Sequence, residues 1–481
     1  MNKVEFLREK YPRFVYENFD WKVAGKDLKI SFYFGIEPNI EFHPKVVIKN
    51  IDKNQIKRLR DRVLNNLVFH LGLIEILSYW KAVCSPEIII KAGPLDQEQI
   101  KWWKDLIMNG MGQFFYENKI DFKKPDFLKI KVNHIHVNLA MTELPRTNRN
   151  KILIPIGGGK DSIVTLELLK EAEKNIKCFS LNPTEAAKKI MKIAGFKRGP
   201  RSGRVGGGWR PIIVKRETDP KLLELNQKGF LNGHTPFSAY LAFLSVICAV
   251  IFDYKFIAFS NERSSNEGNL KYLGKIINHQ WSKSFGFEKK FREYSQKYLT
   301  SGVEYFSFLR PLYEIQIVKL FSRYPQYFNA FLSCNEAYKT YSGTKLPTKK
   351  WCGKCPKCLF VFASLYPFVE TKKLVKIFGG NLFEDKKLSP IMQELIGERK
   401  FKPFECVGTK KESLIVFYLS YKKYKENSPQ KLPFILKHFE EKILNSLPRR
   451  ISSISERFLR GWNNQHNLPM KFEEILKSNF P

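Results

Sequence analysis

The chain has 481 residues, enough for two or three domains around a substantial core, and its 43% hydrophobic and 14% aromatic content excludes intrinsic disorder. Its 82 Lys and Arg against 47 Asp and Glu leave a formal net charge of +35. Such a charge favours a polyanionic partner, either nucleic acid or a phosphorylated small molecule, but the basic residues are spread along the chain without a run that would choose between them. The first twenty residues are charged throughout and lack the apolar segment of a signal peptide, and the longest apolar run, 241–252, is too short to span a bilayer. Eight cysteines, three of them tightly clustered, suit a reducing compartment and a metal better than a disulfide framework. A cytoplasmic protein without a membrane span is expected.

Residues 1–148 read as a separate α/β module. Alternating apolar positions predict strands over 27–35 and 40–48, and helical periodicity predicts helices over 55–80 and 97–118. Trp102, Trp103, Phe114 and Phe115 are expected in the core rather than in a base-stacking platform. His134 and His136 share one face of an alternating segment and read as surface strand positions rather than as a metal site. The polar, proline-broken segment 142–150 reads as a linker.

A second domain, 149–368, opens with the apolar run 152–156, followed at once by Gly157-Gly158-Gly159, Lys160-Asp161-Ser162 and a helical pattern of Ile163, Leu166, Leu168 and Leu169. A strand that turns on glycines into a helix presents bare N–H groups and a positive helix end, which suits a phosphate. Lys160 adds a cation, and Asp161 and Ser162 can cap the first helical turn. Further strands are predicted at 176–181, 211–215 and 256–260, with a helix over 183–194. Strands alternating with helices imply a doubly wound parallel α/β sheet, whose ligands bind beyond the carboxyl ends of its strands. That rule gathers 157–162, 180–183 and 260–263 around one crevice, while the Gly/Arg-rich 197–209 reads as a solvated insertion.

Cys334, Cys352, Cys355 and Cys358 are spaced C-x17-C-x2-C-x2-C, the pattern of four thiolates closing a structural Zn²⁺ site. Cys84, Cys178, Cys248 and Cys406 lie in apolar contexts and read as buried thiols. Residues 369–481 are Lys-rich, aromatic and helical in pattern; Arg449, Arg450, Arg457 and Arg460 read there as a solvated face.

Gly-Gly-Gly-Lys-Asp-Ser resembles the SGGxDS loop of the N-type ATP pyrophosphatases, with Gly157 in place of the usual Ser. The resemblance implies an adenine nucleotide alpha-hydrolase-like sheet that cleaves ATP to AMP and pyrophosphate. The loop together with Cys…CxxCxxC also looks like cyano-deazaguanine synthase. A closer resemblance spans 151–368 and adds Asp219-Pro220, Asn232-Gly233-His234-Thr235-Pro236, Ser260-Asn261-Glu262, Asn278-His279-Gln280-Trp281-Ser282-Lys283-Ser284, Phe308-Leu309-Arg310-Pro311 and Trp351-Cys352-Gly353-Lys354-Cys355-Pro356-Lys357-Cys358. Together these resemble the UDP-N-acetylmuramoyl-L-alanyl-L-glutamate epimerases of peptidoglycan synthesis. The resemblance implies ATP- and Mg²⁺-dependent inversion of the terminal L-glutamate of that UDP-linked dipeptide. Gly157, Gly158, Gly159, Lys160 and Ser162, with Ser180 and Asn182, would then hold the nucleotide, and Asp161 would help position Mg²⁺. Glu262, His234 and His279, in that order, are the acid/base candidates, while Arg310, Asn261 and Lys283 are candidates for substrate contacts. The alternative is an ATP-dependent transfer-RNA or deazaguanine modifying enzyme, for which the positive charge would serve a nucleic acid.

Overall fold

The computed structural model describes residues 2–133, 150–173, 175–196, 210–338, 348–427, 431–448 and 450–480. The expectations for His134, His136, Arg449, the 142–149 linker and the 197–209 insertion concern residues outside these. The fold is mixed α/β, built on one large and mostly parallel sheet. Its strands in chain order are β1 (Arg13–Ala24), β2 (Asp27–Ile36), β3 (Ile40–Phe42), β4 (Lys45–Ile48), β5 (Glu87–Ile90), β6 (Lys129–Val132), β7 (Ile152–Pro155), β8 (Ile176–Leu181), β9 (Ile212–Glu217) and β10 (Phe256–Phe259). A small hairpin, β11 (Leu270–Tyr272) with β12 (Lys275–Ile277), stands apart, and β13 (Glu304–Ser307) returns to the large sheet.

The strand order is β13-β10-β7-β8-β9-β4-β2-β1-β5-β6, with β3 beside β2. From β13 to β9 every pairing is parallel. β4 then joins β9 in antiparallel fashion, Ile48 facing Val214, so the first 133 residues and the glycine-loop region share one sheet. The junction covers an edge of β9 that would otherwise present unpaired N–H and C=O groups. The two hydrophobic cores follow the sheet rather than a boundary near 148: one joins Phe14, Leu67 and Trp80 to Val214, Ile247 and Phe291. The other joins Ile154 and Leu166 to Phe360, Phe417 and Phe472.

Local differences from the sequence reading have local causes. The expected strand over 40–48 is interrupted at His43-Pro44, since Pro lacks a donor for the ladder. β1 was hidden because a bulge between Tyr16 and Asn18 breaks its alternation. The helix Asp61–Trp80 is, by its 20 residues and mean hydropathy of 1.2, long and apolar enough to cross a bilayer, but 78% of its apolar window is buried in the fold. It packs against the helix Phe237–Phe252, as a central core helix does. The C-terminal part is helical, from Thr371–Phe378 to Met470–Asn479. It is docked on the sheet: the Phe472 ring meets Phe256 edge-on at 5.0 Å and lies tilted against Phe306 at 4.7 Å.

β7 and β8 succeed one another on one side, while β10 lies on the other side of β7. The chain therefore leaves the neighbouring ends of β7 and β10 in diverging directions, which opens a crevice at that switch point. The glycine loop follows β7 and Ser260-Asn261-Glu262 follows β10.

Candidate active site

The loop is shaped by close approach. Gly158 has φ +106°, and a Cβ there would meet Thr184 Oγ1, Ala186 Cβ and Ala187 N at 3.2 Å, so only glycine fits without strain. Leu332 N–H, two residues before Cys334, donates to the Gly158 carbonyl at 2.8 Å and holds the turn from the other side. The helix Lys160–Ala172 starts at Gly159 with no side-chain cap. Ser162, expected to cap, donates instead to the Gly159 carbonyl at 2.9 Å. The first-turn N–H groups thus keep their capacity for an anion.

Lys160 lies inward, 1% exposed, with its ammonium 2.5 Å from Asp161 Oδ1 and in contact with Glu314 Oε2. Burial alone would strip its proton, but the two carboxylates outweigh that and raise Lys160 above its ordinary range. Glu314 opens the helix Glu314–Phe321, and its other oxygen lies 3.7 Å from Lys357 Nζ. Burial would push this carboxyl up, yet Lys160 and Lys357 hold it down and ionised. Asp161 keeps 26% of its side chain exposed, an accessible carboxylate at the crevice that could ligate a cation.

Lys357 also donates to the Cys406 carbonyl, and the Cys406 thiol is 3.2 Å from Lys283 Nζ and 4.0 Å from His279 Nε2. The rings of His279 and His234 are 4.5 Å apart. Burial pushes His279 down to about 3, aided by Lys283, and burial with His279 itself pushes His234 well below its ordinary value. Both imidazoles are therefore neutral. Gln113 donates its amide to Glu117, so its oxygen, 2.5 Å from His279 Nδ1, accepts from that nitrogen and leaves Nε2 as an acceptor. Lys81 fixes the turn before His234 through Asn232 Oδ1 at 2.7 Å and the Gly233 carbonyl at 3.1 Å. The first 133 residues thus line the crevice as well.

Glu262 is 3% exposed, and among the described residues no hydrogen bond reaches its carboxyl group. Burial and then the negative charge of Glu314 push it up to about 7, with Asp161 and Cys406 adding and Lys283 opposing. Loop acid, Glu262, Lys283 and Cys406 accordingly feel one another across a common space.

Other expected contacts are spent within the fold. Arg310 is fully buried; its fork donates to the Glu262 carbonyl at 2.6 Å, Ser265 Oγ at 2.9 Å and Glu288 at 3.2 Å, and also to the Lys283 carbonyl. Rather than facing the crevice, it braces the two segments that carry Glu262 and Lys283. Asn261 donates to Ser307 Oγ at 3.0 Å, and Ser180 to the Ile156 carbonyl at 2.8 Å. Asn182, at φ +42°, ties the end of β8 to the backbone of Arg216.

The four sulfurs of Cys334, Cys352, Cys355 and Cys358 lie within 4.8 Å of one another, with Cys334–Cys355 at 3.8 Å and Cys352–Cys358 at 3.6 Å. A tetrahedron of thiolates at a metal–sulfur distance of about 2.3 Å has edges of roughly 3.8 Å, so the cluster has the dimensions to hold one metal ion. Gly353, at φ +69°, makes the tight turn between the first pair. Cys84, Cys178 and Cys248 are buried as expected. Cys406 is only half-buried and lies beside a lysine, so its apolar neighbours in sequence misled. Sequence reasoning also missed Glu314 and Lys357; the latter had a signal, being the lysine enclosed between two of the four clustered cysteines in Cys355-Pro356-Lys357-Cys358.

Comparison with known proteins gives consistent matches. Residues 5–308 match the MurL N-terminal domain model and residues 330–445 the MurL C-terminal domain model. Three curated relatives carry the name UDP-N-acetyl-alpha-D-muramoyl-L-alanyl-L-glutamate epimerase. The protein of Xanthomonas oryzae pv. oryzae is 30% identical over 85% of this chain and 85% of its own length. That of a Micromonospora species is 33% identical over 73% of each chain. That of Salinispora tropica is 31% identical over 75% of this chain and 74% of its own. The chain therefore belongs to the MurL family of UDP-N-acetyl-alpha-D-muramoyl-L-alanyl-L-glutamate epimerases.

Proposed function

We propose that this protein inverts the terminal L-glutamate of UDP-N-acetylmuramoyl-L-alanyl-L-glutamate to D-glutamate in the cytoplasm, by a route that consumes ATP and releases AMP and pyrophosphate. The observation that carries the reading is the shared switch point: the glycine loop after β7 and the elevated carboxyl of Glu262 after β10 face one crevice. On this reading the sheet is a doubly wound member of the N-type ATP pyrophosphatase class. The uncapped helix start after Gly157-Gly158-Gly159 would hold phosphate, and Asp161 would hold Mg²⁺. ATP, when bound, supplies an adenylyl group that neutralises the carboxylate next to the glutamate α-carbon.

That activation matters because an α-proton beside a free carboxylate leaves its electron pair next to an existing negative charge. On an acyl phosphate, unlike a free carboxylate, the pair could spread onto the carbonyl oxygen, where Lys283 and backbone donors would stabilise it. Glu262, buried and raised to about 7, takes the proton in its carboxylate form. Lys160 and Lys357 together balance the charges of Glu314 and Asp161, so the loop carries no excess negative charge against a nucleotide. The four cysteines would hold a structural Zn²⁺, whose loop presents Lys357 to Glu314. The transfer-RNA or deazaguanine alternative is not favoured by the family to which the chain belongs. The positive charge suits the diphosphate and carboxylates of the UDP-linked substrate.

The test is incubation with ATP, Mg²⁺ and the UDP-linked L-glutamyl dipeptide in heavy water. The expected products are AMP and D-glutamate carrying deuterium at the α-carbon. ADP in place of AMP, or glutamate that stays L and undeuterated, rejects the reading.

A further inference from the structure

Inversion requires a proton to leave one face of the α-carbon and another to arrive on the opposite face, and Glu262 supplies only one such group. The histidines are poor seconds: both are buried and neutral, and His279 spends Nδ1 on Gln113. Cys406 is better situated. It lies in the connection leading into the helix Lys410–Asn427, its thiol half-buried, 3.2 Å from Lys283 Nζ and 4.0 Å from the acceptor nitrogen of His279. Its backbone is held in turn by Lys357. Arg310 and Ser265 tie the backbone of Lys283 to that of Glu262, whose carboxyl group, 3% exposed and without a hydrogen bond among the described residues, feels the charges of Lys283 and Cys406. An unpartnered buried carboxyl group within electrostatic reach of a thiol and a lysine is costly unless a substrate comes between them.

We propose that Cys406 is the second proton-transfer group of the epimerisation, paired with Glu262, and that Lys283 stabilises its thiolate. The assignment rests on the function proposed above. In the L-to-D direction the C–H bond breaks, its proton forms an O–H bond on the Glu262 carboxylate, and its electron pair passes into the activated carbonyl. The pair then returns to carbon as the Cys406 S–H bond breaks. The proton forms the new C–H bond, and the sulfur keeps its electrons as thiolate beside the Lys283 ammonium. Loss of the Glu262 proton to water and return of one from water to Cys406 complete the cycle with no net proton consumed. In the D-to-L direction the two groups exchange roles.

The decisive experiment follows both epimers of the UDP-linked dipeptide with ATP and Mg²⁺ in heavy water. Cys406→Ala is expected to form AMP from the L epimer and to exchange its α-proton with retention, while D product falls by about 100-fold or more. The D epimer should not exchange. Glu262→Gln should show the mirror pattern, exchanging the D epimer alone. Inversion at the wild-type rate in Cys406→Ala, or loss of AMP formation while the thermal transition is unchanged, overturns the assignment. Cys406→Ser offers a polar replacement should alanine fail to fold, with the same expectations. Independently of turnover, Lys283→Met should slow alkylation of Cys406 by iodoacetamide, followed by mass spectrometry; an unchanged rate removes Lys283 from the proposal. Wild-type protein that inverts without AMP rejects the adenylation step but leaves the two-group assignment standing, whereas wild-type protein that never inverts rejects both.

Discussion

Lys357 Nζ lies 3.7 Å from one oxygen of Glu314, while Lys160 grips the other oxygen of the same carboxylate. One buried acid thereby joins the cysteine cluster to the glycine loop. Leu332, donating to the Gly158 carbonyl just before Cys334, makes a second connection between the same two parts. A lone buried carboxylate would be too costly to ionise; flanked by two ammonium groups, it becomes a fixed strut.

Removal of Lys160 should therefore cost stability as well as activity. Lys160→Met leaves Glu314 ionised or protonated in a dry setting, and a loss of about 3–5 kcal/mol is expected. The double change Lys160→Met with Glu314→Gln should recover part of it, because the buried carboxylate is gone, while Lys357 keeps its bond to the Cys406 carbonyl and Asp161 is open to water. Urea unfolding of the two variants checks this, and equal stability of Lys160→Met and wild type would contradict it.

The loop glycines should differ sharply. Gly158→Ala forces a side chain into φ +106° and into contacts at 3.2 Å, at a cost of about 1–3 kcal/mol and with weakened ATP binding. At Gly157 nothing lies within 4 Å of an added Cβ, so Gly157→Ser should melt with wild type and keep its ATP affinity. Thermal scans and isothermal titration calorimetry measure both.

Glu262 predicts two pH dependences. Its folded value of about 7 lies above the ordinary 4.5, so the fold favours the neutral form. The associated stability is full below about 4.5 and is lost as pH rises through about 7. Glu412, pushed up to about 7 by burial, contributes a similar decline, so Glu262→Gln should flatten the curve only in part. In the wild type, α-proton exchange from the L epimer should rise about tenfold per pH unit below 7 and then level, as the carboxylate form fills.

The cysteine cluster should bind about one zinc per chain. Cys355→Ser should lose it and destabilise the protein by about 3 kcal/mol or more. Because Lys357 sits between Cys355 and Cys358, the loss should also reduce AMP formation in the protein that remains folded. Lys357→Met, by contrast, should keep the zinc while AMP formation falls. Elemental analysis alongside an AMP assay separates the two cases; a zinc-free wild type would defeat the metal assignment.

The strand–glycine–helix unit at 152–172 was legible in the sequence because everything that shapes it is local: an apolar run, three glycines and a 3.6-residue period. The four-cysteine spacing was legible for the same reason, since two tight turns bring three of the thiols together whatever surrounds them. The helical C-terminal part likewise announced itself by pattern. Only the tertiary structure decided that β4 would close onto β9, making one sheet from what reads as two modules. It alone sent Lys160 inward to Glu314, 154 residues away, and set Cys406 beside Lys283, 123 residues away. It also enclosed Arg310, whose side chain by itself suggests a substrate clamp. Such pairings leave no period and no spacing in the chain, because a buried charge takes its partner from whichever element the packing brings within reach.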